Sequence, residues 1–248
     1  MTGTLAHIIR HPIKGHGREE LGQVALTAGE CLPFDRHWAV AHEAAKLTGA
    51  WVPCANFARG AKALSLMAMT CALDAEHRQI TLTHPDIGSL TFHPDDPGDL
   101  PRFLAWVAPL APTERAQPAQ IVSVGRGMTD SDFPSVAILS LTTLRDLSGR
   151  MGRDLSIHRW RGNLWLEGVP LRAEEDWPGR VIRIGGAVLR VEERITRCRA
   201  TSADPATGHA AGDTLAALQA AYGHQDFGVY ATVLEGGHVA IGDDWMLQ

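Results

Sequence analysis

The stretch RVIRIGGAVLRVEERITRCRATSADPATG, residues 180–208, indicates both the fold class and a candidate site. Its first half contains two β-rich runs, residues 181–184 and 187–195, separated by two glycines, which predict two strands. The second run leads to Cys198, which Arg194, Arg197 and Arg199 surround with positive charge. Such surroundings favour the thiolate, which is a nucleophile or a soft metal ligand. The sequence therefore predicts a strand-rich protein with a reactive cysteine at a strand end.

Short β-rich runs separated by turn residues dominate the rest of the chain, and they predict a barrel or a sandwich. The further predicted strands are residues 4–10, 21–27, 37–42, 63–73, 79–84, 89–93, 120–124, 159–166, 227–235 and 238–247. Helices are predicted within 97–112, after Ser140, and from the N-cap Asp213 to Gly223. We expect a mainly β fold with some α and two domains, residues 1–112 and 113–248, divided near the connection TERAQPAQ.

Composition indicates which binding partners and which cellular compartment to expect. The 248 residues are 45% hydrophobic and carry a formal net charge of -5, which gives no reason to expect nucleic acid or an anionic membrane as a partner. The four cysteines are far apart and form none of the close pairs of zinc or iron–sulfur sites. No apolar run is long enough for a signal sequence or a membrane span. We therefore expect free thiols in a cytoplasmic protein.

Common cofactor motifs are missing. VGRGMTD places Asp130 where a dinucleotide fingerprint needs its third glycine, and the chain has neither a phosphate-binding loop nor a Gly-x-Ser-x-Gly elbow. The twelve histidines lack helix-borne ligand spacing, so surface histidines are favoured over a histidine metal site. No flavin, haem or iron–sulfur motif is visible, so a redox reaction would need a separate electron donor.

Three further segments contain candidate site residues. Lys14 and Arg36 lie in polar clusters next to strands, where solvated surface charge is the simpler interpretation. In the run 159–166, strand alternation predicts Arg161 and Asn163 on one face and core residues on the other, so the guanidinium and the amide could bind an anion or a heterocycle. For Cys198, four interpretations stay open: a free surface thiol, a protease-like nucleophile, a persulfide carrier and a metal ligand.

The chain resembles the MOSC superfamily, particularly its molybdenum amidoxime-reducing branch. The similar segments occur in the family's order and cover almost the whole chain, including an N-terminal β-barrel domain before the MOSC domain. They are HPIKG, FDRHWAV, SVAILSLTTLRDL, WRGNLWLEG, the stretch 180–208, and FGVYATVLEGGHVAIGDDW. The cysteine segment with Asp204, Pro205 and Gly208 is the strongest of these.

This resemblance implies a molybdenum cofactor (Mo-molybdopterin) between the two domains, with one protein thiolate on the metal. Cys198 matches that metal ligand and catalytic residue. The cofactor-binding positions that match the family are Lys14, Arg36, Arg161, Asn163, Thr196, Arg197 and Cys198. Arginine and lysine suit the cofactor phosphate, and a soft thiolate suits molybdenum.

The expected activity is reduction of N-hydroxylated small molecules with electrons from a separate redox protein. The alternative is a non-enzymatic carrier of the cofactor or of a persulfide on Cys198. Two places depart from the family pattern: Gly15 replaces a frequent serine, and Phe133 and Pro134 replace a Thr or Ser pair. The hydroxyl contacts to the cofactor would there be either lost or replaced by backbone N–H groups.

Overall fold

The structure, a computed structural model, describes residues 1–248 and contains sixteen strands and three α-helices. The strands are β1 (Thr2–Arg10), β2 (Ile13–Lys14), β3 (Glu19–Leu21), β4 (Gln23–Leu26), β5 (Trp38–His42), β6 (Thr70–Asp74), β7 (Gln79–His84), β8 (Gly88–Phe92), β9 (Pro118–Val122), β10 (Val136–Ser140), β11 (Leu164–Glu167), β12 (Val181–Ile184), β13 (Ala187–Thr196), β14 (Asp226–Glu235), β15 (Gly237–Ala240) and β16 (Asp244–Leu247). The helices are α1 (Leu100–Val107), α2 (Leu141–Met151) and α3 (Thr214–Tyr222). Short 3-10 turns occupy Cys54–Asn56, Leu64–Ala68, Ala108–Leu110, Ile157–Trp160, Ala173–Asp176 and Arg199–Ser202.

Seven strands form a closed β-barrel in the order β11, β10, β14, β13, β12, β16 and β1, with β1 pairing back onto β11. All neighbours are antiparallel except β10 and β11. Alternate residues of β14, namely Val229, Ala231 and Val233, belong to the largest apolar core with residues of the other barrel strands. The prediction of a mainly β, barrel-containing fold with a few helices is confirmed.

A second apolar core lies in the first part of the chain. It brings together β2, β5, the sheet of β6, β7 and β8, and helix α1, through buried residues such as Trp38, Leu82 and Phe103. The division at residue 112 stays a prediction, and the sheet pairings of β1, β4 and β5 all cross it. Strand β1 lies in the barrel with strands of the second part, and β9 pairs with β5 of the first part.

The predicted helix ends are confirmed at both helices of the second part. Ser140 accepts a hydrogen bond from the Thr143 backbone N–H at 3.2 Å, and Asp213 accepts one from Ala216 at 3.0 Å. Gly152 and Gly223 end α2 and α3 in the left-handed conformation, which glycine adopts without a steric penalty. None of the three helices has the length and apolar character needed to cross a membrane.

Four predicted strands are interrupted, one of them at residues 21–27, where Gly22 separates β3 from β4. Residues 159–163 are not a strand: the 3-10 turn Ile157–Trp160 ends at Arg161, whose φ of 48° is left-handed and breaks the extended backbone before β11. The run 63–73 divides into the turn Leu64–Ala68 and β6, and a turn separates β15 from β16. A short apolar run does not by itself distinguish these alternatives.

Glu174 is a buried carboxyl without an ion-pair partner, and it makes stability depend on pH. Neither of its side-chain oxygens has a well-formed hydrogen bond, and burial, which outweighs a contact with Thr143, raises its pKa from 4.5 to about 7. The unfolded chain ionises this carboxyl near its ordinary pKa while the folded chain keeps it protonated, so stability is lost as the pH rises from about 4.5 through 7.

We expect Glu174→Gln to remove that pH dependence. The wild type should lose up to roughly 3 kcal/mol of unfolding free energy relative to the variant between pH 4 and pH 8, because each pKa unit corresponds to about 1.4 kcal/mol. Denaturant unfolding at both pH values measures this, with the exposed Glu114→Gln as the matched control. Parallel pH profiles of wild type and Glu174→Gln would contradict the expectation.

Candidate functional site

Six of the seven predicted site residues line one cavity, which we call the thiol cavity. The six are Lys14, Arg36, Arg161, Thr196, Arg197 and Cys198. The barrel contributes one wall through Ala137, Ile195 and Tyr230, and the segment 54–67 contributes the facing wall through Cys54, Arg59 and Met67. Residues from distant parts of the chain therefore meet between the barrel and the first segment.

Local backbone features present these side chains to the thiol cavity. Lys14 ends β2, and Thr196 ends β13 immediately before Arg197 and Cys198. Arg36 and Arg161 both have positive φ, at 52° and 48°, which is uncommon for residues other than glycine. Strained backbone of this kind is found at functional sites more often than elsewhere.

Gly15 lets backbone approach backbone at the edge of the thiol cavity. Its φ is 76°, and a Cβ at this position would lie 2.7 Å from the Ala58 carbonyl oxygen. A serine there would be strained and would clash, so glycine suits this backbone. Phe133 and Pro134 are not among the residues that line the thiol cavity.

A buried carboxylate fixes the position of Arg36. Asp35 is 1% exposed, accepts a hydrogen bond from the His11 backbone N–H at 2.8 Å and forms an ion pair with Arg36. Burial opposes ionisation of Asp35, but Arg36 and His11 outweigh it and hold the pKa well below its ordinary value. Arg36 in turn donates to the Arg161 carbonyl oxygen at 2.7 Å. Asp35 therefore positions Arg36, which in turn contacts the backbone of Arg161.

Positive charge predominates around the thiol cavity. Its basic lining residues are Lys14, Arg36, Arg59, Arg159, Arg161 and Arg197, and Asp130 is the one acidic lining residue. The Lys14 Nζ donates to Asp130 at 2.5 Å and to the Met128 carbonyl oxygen at 2.8 Å. Burial, followed by repulsion from Arg36, lowers the Arg161 pKa to about 9, and burial lowers that of Arg197 to about 10. Crowded cations of this kind favour an anionic ligand.

Two of the residues that line the thiol cavity carry a buried donor without a hydrogen-bond partner. The donors are the Arg159 Nε and the Trp160 Nε1. Tyr230 also lines the cavity, and burial followed by the charge of Asp130 raises its pKa to about 12, so its hydroxyl keeps its proton. Since unpartnered buried donors are costly, the cavity fits a ligand rich in acceptor atoms.

The thiols present in the thiol cavity are soft ligands. Cys198 is exposed, and it follows Arg197, whose guanidinium lies 5.7 Å from the centre of the Trp160 ring. Cys54 lies in the same cavity and accepts a hydrogen bond from Arg59 at 2.5 Å. One accessible thiol beside cations and unpartnered donors fits a molybdenum–pterin cofactor, which combines a soft metal with an anionic phosphate and many acceptors. No cluster of three or more His, Cys, Asp and Glu side chains is arranged to hold a metal ion.

Asn163 lies outside the thiol cavity, and the prediction that it shares a strand face with Arg161 is wrong. It is 1% exposed; its Oδ1 accepts from the Ala137 backbone N–H at 3.0 Å, and its Nδ2 donates to the Ile9 carbonyl oxygen at 3.1 Å. Its amide therefore bridges β1 and β10 within the barrel. Arg161 reaches the cavity because of its left-handed turn and not by strand alternation.

We therefore expect Asn163→Ala to act on folding. It leaves a buried N–H and a buried carbonyl without partners, which should lower the free energy of unfolding of the cofactor-free protein by about 1–3 kcal/mol. Asn56→Ala is the matched control, because Asn56 also bonds two backbone groups but at an exposed site. Denaturant unfolding measures both variants, and equal small losses would contradict the buried role.

Several site residues could not be found from sequence patterns. Arg59 and Arg159 carry no local motif, and Asp130 was interpreted only as the residue that excludes a dinucleotide fingerprint. Asp35 could have been identified as a site residue from one feature, its position next to Arg36 in FDRHW. No sequence feature marked Tyr230 as a site residue, because β14 has the residue pattern of an ordinary core strand.

Comparison with known proteins supports the resemblance noted from the sequence. The family model described as the MOSC domain matches residues 128–245. The mouse (Mus musculus) protein named mitochondrial amidoxime-reducing component 1 is 33% identical over 78 residues, which are 32% of this chain and 22% of that protein. The chain therefore matches about a fifth of that relative's length.

Among solved structures, the YuaD protein from Bacillus subtilis is similar over 100% of this chain and 96% of its own, with a TM-score of 0.49 and 13% identity. YiiM from Geobacillus stearothermophilus is similar over 46% of this chain and 53% of its own, with a TM-score of 0.37 and 19% identity. The family-model match by itself confirms the recognition of a MOSC domain for residues 128–245. That segment includes Arg161, Arg197 and Cys198, whereas Lys14 and Arg36 precede it.

Proposed function

We propose that this chain is a molybdenum-cofactor-binding oxidoreductase that reduces N-hydroxylated compounds with electrons from a separate redox protein. The observation that carries the proposal is the exposed Cys198 thiol, which lies within the MOSC-matching segment at a cavity where six basic side chains face a single carboxylate. The similarity to a protein named as an amidoxime-reducing component suggests the substrate class.

In this proposal the basic residues bind the anionic end of the cofactor. Arg161 and Lys14 approach the thiol cavity from opposite segments, and Arg36 stays charged because Asp35 is fixed behind it. Arginine presents a planar fork that matches phosphate oxygens, so Arg161 and Arg36 would set the orientation of the phosphate. The unpartnered N–H groups of Arg159 and Trp160 would bind further acceptor atoms.

Cys198 would bind the metal through its sulfur as a thiolate, beside the cation of Arg197. The bound cofactor supplies two-electron redox chemistry, with molybdenum alternating between its IV and VI states. Reduction of an N–OH group to N–H releases water and consumes two electrons and two protons. Tyr230 keeps its phenolic proton and can donate a hydrogen bond within the cavity. We therefore assign Tyr230 the role of orienting the substrate through a hydrogen bond to a substrate oxygen.

Turnover with an artificial reductant tests this function. Molybdenum-loaded protein should reduce benzamidoxime with reduced methyl viologen, and it should not do so with a pyridine nucleotide alone. Loaded protein that is inactive on benzamidoxime, N-hydroxyurea and simple hydroxylamines would instead support the carrier function, for which the exposed Cys198 thiol is also suited.

Arg161→Lys provides a prediction about cofactor binding. Lysine keeps the charge but loses the planar fork, so we expect occupancy to weaken by about 10-fold. The matched control is Arg199→Lys, since Arg199 adjoins Cys198 but does not line the thiol cavity. Molybdenum content measures both variants, and unchanged occupancy in Arg161→Lys would remove Arg161 from the site.

A further inference from the structure

Asp130 is the one carboxylate that lines the thiol cavity, and it lies among the cations that would bind the cofactor phosphate. Its Oδ1 accepts a hydrogen bond from the Lys14 Nζ at 2.5 Å. Burial lowers the pKa values of Arg161 and Arg197, and the negative charge of Asp130 counteracts that shift, so the carboxylate is within electrostatic reach of both. An anion that enters the thiol cavity therefore meets a negative charge that the protein already holds there.

The Asp130 carboxylate is charged and accessible. Desolvation by the surrounding protein raises its pKa, but Lys14, followed by Arg36 and Arg161, outweighs this effect and holds the pKa below its ordinary value. The side chain is nevertheless 58% exposed, and its only hydrogen bond is the one from Lys14. Asp130 is therefore a charged group at the surface of the thiol cavity that a single contact holds in place.

The backbone on either side of Asp130 is fixed. Thr129 is buried, and its carbonyl oxygen accepts a hydrogen bond from the Trp51 Nε1 at 3.0 Å. Ser131 is also buried, and its hydroxyl donates to the Phe133 carbonyl oxygen at 2.8 Å. The carboxylate can therefore leave its partner by rotation of its own side chain, while the loop stays in place.

Lys14 needs an anionic partner, but that partner can be exchanged. The Lys14 ammonium is buried, and two of its three N–H groups donate to the Met128 carbonyl oxygen and to Asp130. Burial lowers the Lys14 pKa, and Asp130 counteracts that shift, so a nearby negative charge keeps the lysine charged. A phosphate group beside Lys14 supplies the same negative charge and can take the place of the carboxylate.

We propose that Asp130 is the resident counter-ion of the unliganded thiol cavity, and that it leaves Lys14 when the anionic end of the ligand binds there. This inference rests on the proposed binding of the cofactor phosphate by the same cations. The contact between Asp130 and Lys14 breaks when that phosphate binds, and the two negative charges repel each other while both are in the cavity. Asp130 therefore lowers the affinity of the thiol cavity for anions and stabilises the cations while no ligand is bound.

Calorimetric titration of the cofactor-free full chain with inorganic phosphate, at constant ionic strength, tests this proposal. Asp130→Asn and Asp130→Ser remove the charge, so each should bind phosphate about 10-fold more tightly than the wild type. Asp130→Glu keeps the charge and should bind phosphate as the wild type does. Asp154→Asn removes an exposed carboxylate outside the thiol cavity and should leave the affinity unchanged. Phosphate affinity equal to or weaker than that of the wild type in both charge-removing variants would overturn the role of Asp130.

Melting curves separate this role from a purely structural one. Without phosphate, Asp130→Asn should melt at a lower temperature than the wild type, because the buried Lys14 ammonium loses the negative charge beside it. Phosphate should raise the melting temperature of the variant more than that of the wild type. A lower melting temperature without tighter phosphate binding would show a structural residue only, and absence of phosphate binding by all the proteins would also overturn the inference. The molybdenum content of the protein tests the proposed function separately, since this titration involves no metal.

Discussion

Protein with Cys198→Ala, made in a host that supplies molybdenum cofactor, should contain little molybdenum and should lose reduction of N-hydroxylated substrates by ~100-fold or more. Replacing a residue that only orients a metal ligand lowers metal affinity or activity about 10–100-fold. Replacing the ligand itself should lower them by at least as much. The thiol is exposed, so the free energy of unfolding of the cofactor-free protein should change by no more than about 0.5 kcal/mol.

Cys71→Ala is the matched control for the thiol. Cys71 is partly buried against the second core and does not line the thiol cavity. Burial raises its pKa well above the ordinary value, so it stays a neutral thiol at pH 7. Its replacement should leave molybdenum content and turnover unchanged. Full metal content in Cys198→Ala would show that Cys198 is not the ligand.

Asp35→Asn should be the most destabilising of the single substitutions considered. Asp35 is buried and pairs with Arg36, and breaking a buried ion pair costs about 3–5 kcal/mol because the partner charge is left uncompensated. Arg36 would also lose its fixed position, so cofactor occupancy should fall together with stability. Denaturant unfolding at pH 7 and molybdenum analysis measure the two effects.

The pH dependence identifies the cause of that loss. The pKa of Asp35 is depressed in the folded protein, so its contribution is present above the unfolded pKa and is lost as the pH falls below about 4. The difference between wild type and Asp35→Asn should therefore shrink in acid. Asp74→Asn, at an exposed carboxylate paired with His77, should leave stability unchanged at pH 7. A pH-independent difference for Asp35→Asn would point to packing rather than charge.

Local sequence was sufficient where a feature is encoded by neighbouring residues. Cys198 was singled out from its arginine neighbours alone, the helix after Ser140 was predicted from its apolar periodicity, and the cap Asp213 was predicted from capping chemistry. Strand β10 was not predicted from its pattern, because all five of its residues are buried and the expected alternation is absent.

Features that depend on distant pairing could not be predicted from the residues. The barrel closes through β1, whose partner β11 begins at residue 164, and no local signal encodes that pairing. Lys14 and Arg36 were assigned to cofactor binding only by the family resemblance, since the contacts of Lys14 with Asp130 and of Arg36 with the Arg161 carbonyl oxygen join distant parts of the chain. The error at Asn163 has a single cause: a left-handed arginine stands where strand alternation was assumed.

Molybdenum content tests the central claim most directly. The protein should be purified from a host that makes the cofactor and from an isogenic host that cannot, and metal should be measured by mass spectrometry beside a melting curve. The account predicts stoichiometric molybdenum in the first preparation and folded, molybdenum-free protein in the second. Folded protein without molybdenum from both hosts would contradict the account.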